Sequence, residues 1–196
     1  MQQIIQDSLN EASAKLHEYI SNPSNLKDIE TAAAILSGAL ARGNKVISCG
    51  NGGSLCDATH FAEELTGRYR KDRRPLPAIA INDPAYMSCV GNDFSFQDIF
   101  SRYVEGVGRK GDVLLAISTS GNSENIIRAA EMAKSMEMSV VGMTSASDNA
   151  LRRLADVAIC APVSGYSDRV QEIHIKAIHI IIQLIEYQLN LTGQLP

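Results

Sequence analysis

Five short apolar segments, each followed by a helix-forming stretch, constrain the fold of this chain more than any other feature. The apolar segments lie at 45–49, 77–81, 112–117, 139–143 and 157–160, and the helical patterns lie at 54–67, from 84 onward, at 124–135, at 148–155 and at 168–191. Apolar runs without alternating polar residues are typical of strands buried on both faces of a parallel sheet. We therefore predict an α/β fold in which helices flank a five-stranded parallel sheet.

Two further helices are predicted before the first strand. Residues 2–20 carry apolar side chains near helical spacing, and 26–42 form an alanine-rich helix that ends at Gly43. We assign 1–43 to packing and oligomerisation, and 44–196 to the sheet core with its long last helix. The chain has 196 residues, of which 45% are hydrophobic. This is enough for one sizeable core, so we expect a single domain over 1–196.

Charge and apolar patterning argue against several classes of protein. A net charge of −4 argues against a nucleic-acid-binding surface, which needs a basic stripe. The apolar run at 180–185 is far shorter than the roughly 20 residues of a membrane span, and residues 1–7 do not have the pattern of a secretory signal. The four cysteines are scattered without a CxxC pair, which is typical of reduced thiols. We expect a cytoplasmic protein with no nucleic-acid or membrane partner.

A glycine-rich loop with the sequence CGNGGS follows the first strand at 49–54 and opens a helix. Glycines allow close approach of the backbone, and a helix start offers free N–H groups to an anion or a sugar oxygen. The loop is neither a dinucleotide fingerprint, because Leu55 stands at the third glycine position, nor a P-loop, because no Gly-Lys-Ser/Thr ends it. The motif alone fits either a ligand site or a merely tight strand–helix turn.

A second polar loop with the sequence STSGNS follows the third strand at 118–123 and precedes another helix. Its four hydroxyl groups, beside a helix N-terminus, can satisfy the oxygens of a phosphate without a bound cation. The alternative is N-capping, which needs only one or two hydroxyls. Ligands of parallel sheets bind at the carboxyl ends of the strands, so the loops after strands one and three are the expected site.

The helix after the glycine loop carries Cys56, His60, Glu64 and Arg68 at intervals of four residues, on one face. His60 and Glu64 could share a metal ion or form an acid–base pair. An ordinary polar stripe with a Glu64–Arg68 ion pair explains the spacing equally well. Glu63 is also near His60, at i+3, so the spacing does not choose between the two glutamates.

The last helix carries His174 and His179 in a mostly apolar stretch. Such a helix is expected to be buried in the core or in a subunit interface. A histidine in this setting is more often a hydrogen-bonded core residue than a ligand. The pattern alone leaves both interpretations open.

The two polar loops together resemble the sugar isomerase (SIS) domain family over roughly 45–160, with 118–123 as the sugar-phosphate loop. The resemblance implies a SIS-type, flavodoxin-like architecture with three αβα layers. SIS domains bind phosphosugars, some as isomerases and some as regulators. At this level the resemblance indicates the class of ligand but not the activity.

More of the chain resembles the phosphoheptose isomerase family in particular. The matching motifs are CGNGGS at 49–54, Cys56-Asp57, HFAEELTGRY at 60–69, GND at 91–93, STSGNS at 118–123 and RVQEIHIK at 169–176. They include both SIS loops, the glutamate helix and the terminal histidine helix. The two leading helices also match the layout of that family.

The family resemblance implies a cytoplasmic homotetramer with active sites at subunit contacts. It implies conversion of sedoheptulose 7-phosphate to D-glycero-D-manno-heptose 7-phosphate, the first step toward the heptose of lipopolysaccharide. One zinc ion per subunit is implied on His60, Glu64, Gln171 and His179. Substrate contacts are implied for Asn51, Gly52, Gly53, Glu64, Asn92, Asp93, Ser118, Thr119, Ser120, Ser123 and Gln171.

The reaction indicates roles for two of these residues. Ketose–aldose exchange moves a proton between adjacent carbons through an enediol, which needs a base near that proton and stabilisation of charge on the carbonyl oxygen. Glu64 is the natural base and His179 the natural acid. The base and ligand roles of Glu64 compete, because a carboxylate bound to zinc is a weaker base, so Glu64 either switches roles or acts while loosely ligated. Gln171 and His179 are eight residues apart, a rise of about 12 Å on a regular helix. They can reach one ion only if Gln171 lies outside the helix, if two chains contribute, or if the side chains lean strongly together.

Two other functions compete with this hypothesis. A non-catalytic SIS protein would bind a replication initiator through its tetramer, and the resemblance implies that such relatives lack the acidic residue at the Glu64 position. The presence of Glu64 and His179 favours the enzyme. The second alternative is an isomerase for a different phosphosugar, which the two loops alone would allow.

Overall fold

The computed structural model describes residues 1–191 and contains five strands and eight α-helices in that range. The strands are β1 (Val46–Gly50), β2 (Ala78–Ala80), β3 (Val113–Ile117), β4 (Ser139–Ser145) and β5 (Val157–Ala161). The helices are α1 (Gln2–Ile20), α2 (Pro23–Ala41), α3 (Gly53–Thr66), α4 (Pro84–Asp93), α5 (Ser101–Val107), α6 (Glu124–Ser135), α7 (Ala150–Leu154) and α8 (Ser167–Gln188). Residues 192–196 of the predicted single domain lie outside the described residues.

The five strands form one sheet in the order β2-β1-β3-β4-β5, and every neighbouring pair is parallel. This is the flavodoxin-like order, in which the direction of strand succession reverses between β1 and β3. At that point the loops that leave the two strands separate toward opposite faces and open a crevice. The predicted five-stranded parallel sheet is confirmed.

Side chains of the central strand point alternately to two separate apolar cores. Val113, Leu115 and Ile117 contribute to a core under α2, α3 and α8. Leu114 and Ala116 face the opposite core, which residues of α4, α5, α6 and α7 complete. Because β1 and β3 are buried along their whole length, both faces are covered, and the predicted three-layer αβα architecture follows.

The predicted helices agree with the structure except near their ends and in one segment. The last helix ends at Gln188, three residues before the predicted end. Between 94 and 111, where no element was predicted, the chain forms a short 3₁₀ helix, Phe96–Asp98, and α5. α5 has only seven residues, which is too short to produce a clear helical period in the sequence.

No helix of the described chain combines the length and the apolar character needed to cross a membrane.

Gly50 allows the first turn of α3 to lie directly against the end of β1. A Cβ atom at this position would be 2.3 Å from the carbonyl oxygen of Ser54 and 2.5 Å from its carbonyl carbon. These are backbone atoms of a helix, so they cannot move aside cheaply. Gly50 is therefore required for the close strand-to-helix turn that positions the glycine loop.

Gly50→Ala should destabilise the fold by about 1–3 kcal/mol, because the added methyl group overpacks the turn against backbone. The measurement is the free energy of unfolding in urea. Gly91→Ala in α4 is the matched control, since a Cβ there meets nothing within 4 Å. Replacing a helical glycine by alanine in open space should leave stability unchanged or raise it by up to about 1 kcal/mol. Equal effects of the two substitutions would contradict this account of the turn.

His174 lies on the buried face of α8 and packs on the sheet. Its side chain is fully buried, and its Nε2 lies 3.0 Å from the carbonyl oxygen of Thr144 on β4. Its Nδ1 is buried without a hydrogen-bond partner among the described residues. Burial lowers the pKa of His174 to about 4, and the hydrogen bond to Thr144 offsets this only partly. His174 is therefore a neutral core histidine that donates from Nε2.

The buried His174 should make the fold less stable as the pH falls from 6.5 toward 4. In this window the unfolded chain binds a proton that the folded chain excludes, so the contribution of His174 is complete above pH 6.5 and is lost progressively below it. Each unit of difference in pKa corresponds to about 1.4 kcal/mol. His174→Gln should flatten the dependence of the free energy of unfolding on pH in this window, whereas His17→Gln on the exposed face of α1 should not. Parallel pH profiles for His174→Gln and the parent chain would refute this.

Candidate active site

A polar cavity of about 300 Å³ lies at the switch point between β1 and β3. The glycine loop after β1, the serine loop after β3 and the first turns of α8 form its walls. Its lining residues are Asn51, Gly52, Gly53, Ser54, Ile117, Ser118, Thr119, Ser123, Ser167 and Gln171. We call this cavity the cradle. Seven of the residues predicted to contact substrate surround it: Asn51, Gly52, Gly53, Ser118, Thr119, Ser123 and Gln171.

The hydroxyl groups of the serine loop are hydrogen-bonded to one another rather than used to cap α6. The Oγ atoms of Ser118 and Ser123 are 3.1 Å apart, and the backbone N–H of Gly121 donates to Ser118 Oγ at 3.2 Å. Ser123 is the N-cap residue of α6, but its side chain makes no capping hydrogen bond. The capping alternative therefore does not account for Ser123, and the loop keeps hydroxyl groups beside a free helix N-terminus, where an anion is favoured.

The glycine loop is held in place by two contacts. Asn51 and Asn125 of α6 exchange a pair of amide hydrogen bonds, each 2.9 Å long. Gly53 lies so close to Gln171 that a Cβ atom on Gly53 would be 2.5 Å from Nε2 of Gln171. The absence of a side chain at Gly53 thus leaves room for the amide of Gln171 against the loop. Gly52, at the N-cap of α3, has a positive φ of 53°, as glycine allows without strain.

Four of the predicted substrate residues do not line the cradle: Glu64, which belongs to a second group of side chains described below, Ser120, Asn92 and Asp93. Ser120 faces a neighbouring cavity of about 220 Å³ that it shares with Thr119. Asn92 and Asp93 lie exposed at the end of α4, where the amide of Asn92 donates to Asp93 Oδ1 at 2.8 Å. The roles of Ser120, Asn92 and Asp93 in binding substrate stay predictions.

A second group of reactive side chains forms where α3 packs on α8. The Nε2 atoms of His60 and His179 are 3.1 Å apart, and His60 Nε2 is 3.3 Å from Glu64 Oε1. All three ligand atoms lie within 4.8 Å of one another, so His60, Glu64 and His179 could hold a metal ion. We call these three residues the cluster. Among the ion pairs of the described residues, Glu64 pairs with His60 and not with Arg68.

The structure also distinguishes Glu64 from Glu63, the two adjacent glutamates of α3. Glu64 is half-buried and faces α8, whereas Glu63 is exposed. The polar-stripe alternative for His60 and Glu64 is therefore not supported, because their side chains meet a histidine 115 or more residues away along the chain.

The environment of His179 favours its neutral form. Burial lowers the pKa of His179 first, and the nearby His60 lowers it further, while Glu64 raises it. Tyr69 stacks on the His179 ring with centroids 5.8 Å apart. A neutral imidazole leaves a nitrogen lone pair free to accept a proton or to ligate a metal ion.

Gln171 and His179 both lie within the single helix α8. This excludes the possibility that Gln171 sits outside the helix, and it leaves the two side chains about 12 Å apart along the axis. In this chain Gln171 lines the cradle, whereas His179 belongs to the cluster. The remaining explanations for a shared ion are a contribution from a second chain or strongly leaning side chains.

Several residues of the site were not predicted from the sequence. Asn125 positions Asn51, and Tyr69 packs on His179. Asp57 lies one helical turn before His60 on α3; its Oδ2 is buried without a hydrogen-bond partner among the described residues, and burial raises its pKa to about 6. Asp57 and Tyr69 lie in motifs that match the family, but no local pattern indicates the role of any of the three, because each acquires its role from a contact with a distant element or from burial.

Comparisons with known proteins agree with the geometry. The SIS domain family model matches residues 9–145. The chain is 56% identical over 188 residues to phosphoheptose isomerase of Pectobacterium atrosepticum, covering 96% of this chain and 97% of that protein. It is 55% identical over 188 residues to phosphoheptose isomerase of Escherichia fergusonii, covering 96% and 98%.

Solved structures give the same result. The phosphoheptose isomerase of Neisseria gonorrhoeae is similar with a TM-score of 0.88 and 33% identity, over 95% of this chain and 98% of that chain. A phosphoheptose isomerase of Francisella tularensis is similar with a TM-score of 0.87 and 34% identity, over the same shares. With these matches over nearly its whole length, the chain belongs to the phosphoheptose isomerase family of SIS-domain proteins.

Proposed function

We propose that this chain isomerises sedoheptulose 7-phosphate to D-glycero-D-manno-heptose 7-phosphate, in the cytoplasm, as the first step toward the heptose of lipopolysaccharide. The observation that carries the proposal is the convergence of a carboxylate, Glu64, and an imidazole, His179, from helices that also border a hydroxyl-lined anion site. The names of the relatives support the reaction class.

The residues of this chain supply three parts of the reaction. The hydroxyls of the serine loop and the N-terminus of α6 hold the phosphate of the substrate. Glu64 takes a proton from carbon 1 of the ketose, and after exchange with solvent it delivers a proton to carbon 2 of the enediol, which gives the aldose. His179 donates a proton to the carbonyl oxygen on carbon 2 and then accepts the proton of the hydroxyl on carbon 1, so that charge does not accumulate on the enediol.

The cluster fits the zinc ion that the family resemblance implies. Two ligands about 2.0 Å from a tetrahedral zinc ion lie about 3.3 Å apart, and the two closest ligand pairs of the cluster are separated by 3.1 and 3.3 Å. Zinc bound to His60, Glu64 and His179 would polarise the carbonyl and hydroxyl oxygens of the sugar.

We further propose that the active site is shared between copies in a homotetramer. Gln171, the fourth implied ligand, lies about 12 Å along α8 from His179, so it would reach the ion of a neighbouring copy. The exposed face of α1 carries Ile4, Ile5 and Leu9, which are 73%, 60% and 63% exposed. An apolar patch of this kind is typical of an interaction surface.

The alternative of a non-catalytic SIS protein predicts no reactive cluster. A regulator that binds a replication initiator needs neither a half-buried carboxylate nor two histidines at its centre. Because Glu64, His60 and His179 form one group, we favour the enzyme. The alternative of an isomerase for another phosphosugar is tested by assaying turnover of shorter ketose phosphates beside sedoheptulose 7-phosphate. Faster turnover of a shorter ketose phosphate would favour that alternative.

Removing the base or the acid should abolish most of the turnover. Glu64→Gln and His179→Gln should each lower kcat on sedoheptulose 7-phosphate by about 10²- to 10⁴-fold, the usual contribution of a general acid or base. A coupled assay of the aldose product measures this. Glu63→Gln removes the same charge one residue away on the exposed face and should keep kcat within about twofold. Full activity of Glu64→Gln would exclude Glu64 as the base.

Metal binding provides a test that does not depend on turnover. After treatment with a chelator, the parent chain should bind about one Zn²⁺ per subunit in a calorimetric titration. His60→Ala and His179→Ala should each weaken binding at least tenfold, because each removes one of three protein ligands. His17→Ala on α1 should bind as the parent does. Undiminished affinity in both cluster variants would disprove the zinc site.

A further inference from the structure

Arg73 lies in the loop after α3 and is the most deeply buried cation of the site region. Its side chain is 0% exposed, although the neighbouring Arg70, Lys71 and Arg74 are exposed. Its Nε donates to Glu186 Oε1 at 2.8 Å, and the side chain of Glu186 is 5% exposed. A buried guanidinium is costly to desolvate unless it is paired and hydrogen-bonded. The hydrogen-bond partners of Arg73 therefore indicate its role.

The other donors of Arg73 bind the C-terminal end of α3. Its Nη2 donates to the carbonyl oxygen of Glu64 at 2.6 Å, and its Nη1 donates to those of Leu65 at 2.9 Å and Gly67 at 3.1 Å. The last carbonyls of a helix have no partners within the helix and carry its negative dipole end. Arg73 therefore acts as a cationic cap, and one of its acceptors is the backbone of Glu64 itself.

Glu186 connects this cap to the helix that carries His179. The two residues are seven positions apart on α8, which is two turns and places both on one face. The ion pair thus ties the backbone of Glu64 to the face of α8 from which His179 projects. At the opposite end of the same seam, Gln171 lies against Gly53. The cluster therefore lies between two contacts that join α8 to the two ends of α3.

Stability alone does not explain a pair of this kind. Buried ion pairs are often replaced by apolar residues of similar volume without loss of stability, because desolvation offsets their attraction. What an apolar pair does not reproduce is direction: five fixed N–H donors match one carboxylate and several carbonyls in one geometry only. The arrangement is suited to fixing the distance between Glu64 on α3 and His179 on α8.

We propose that the Arg73–Glu186 ion pair is a positioning device that holds the Glu64 carboxylate and the His179 imidazole in register across the α3–α8 seam. The inference rests on the proposed function, since the register concerns the base and the acid of that reaction. Among the hydrogen bonds and ion pairs of the described residues, Arg73 has none with the side chains of the cluster; it acts through the backbone of Glu64 and through Glu186.

The test separates positioning from stability by comparing three variants. Arg73→Lys keeps the charge but loses the fork of donors, and should lower kcat about 10- to 100-fold. KM should change less than about threefold, because the cradle lies at the other end of the seam. The double variant Arg73→Met/Glu186→Leu leaves no buried charge unpaired and should keep most of the thermal stability of the parent, although the carbonyls at the end of α3 lose a donor, while kcat stays low. Arg74→Lys, the same change on an exposed neighbour, should match the parent in all three measurements.

Zn²⁺ affinity gives a second readout that needs no turnover. Misaligned helices should weaken Zn²⁺ binding about 10- to 100-fold in Arg73→Lys and in the double variant, with Arg74→Lys unchanged. Recovery of both kcat and Zn²⁺ affinity in the stable double variant would overturn the proposal, because the pair would then be merely structural. If the double variant does not fold, Glu186→Gln takes its place, because it retains an acceptor for Arg73. This variant should also fold while both kcat and Zn²⁺ affinity stay low.

The two proposals fail in different ways. If the parent chain does not turn over sedoheptulose 7-phosphate, the proposed function is wrong, and the Zn²⁺ affinities still decide whether the pair sets the register. If the parent is active and Arg73→Lys matches it in kcat and in Zn²⁺ affinity, the positioning role is wrong and the proposed function stands.

Discussion

The packing of α8 along α3 is the contact on which the site depends. The two helices run in the same direction, and contacts succeed one another along their seam: Gly53 with Gln171, His60 with His179, and Arg73, through the end of α3, with Glu186. Both helices start at the carboxyl edge of the sheet, so the seam begins at the anion-binding loops and continues into the reactive cluster. A shift of one helix along the other would change all of these contacts at once.

Much of the fold could be predicted from the sequence because the signals were local. Apolar runs such as 112–117, buried on both faces, indicated parallel strands, and the helix predicted from 84 onward begins at Pro84, where Asp83 is the N-cap. The position of the site followed from topology, since the loops after β1 and β3 meet wherever the strand order reverses between them. The segment 94–111 escaped prediction because its helices are too short to show a period.

The candidate site was predictable only in part. The spacing of His60 and Glu64 indicated a shared helix face, but their convergence on His179 became an expectation only through the family resemblance. Physical patterns within one segment do not report which distant segment packs against it. For the same reason Asn125 and Arg73 could not be identified: each is important through partners 74 and 113 residues away.

Tracing the carbon-bound proton is the most direct test of the account. The proton that Glu64 takes from carbon 1 exchanges with solvent while the enediol is bound, so isomerisation of sedoheptulose 7-phosphate in D₂O should place deuterium on carbon 2 of the aldose and, by reversal, on carbon 1 of recovered ketose. Magnetic resonance of the purified sugars measures both positions. Aldose that accumulates without deuterium at carbon 2, beside ketose without deuterium at carbon 1, would contradict proton transfer through an enediol by this carboxylate.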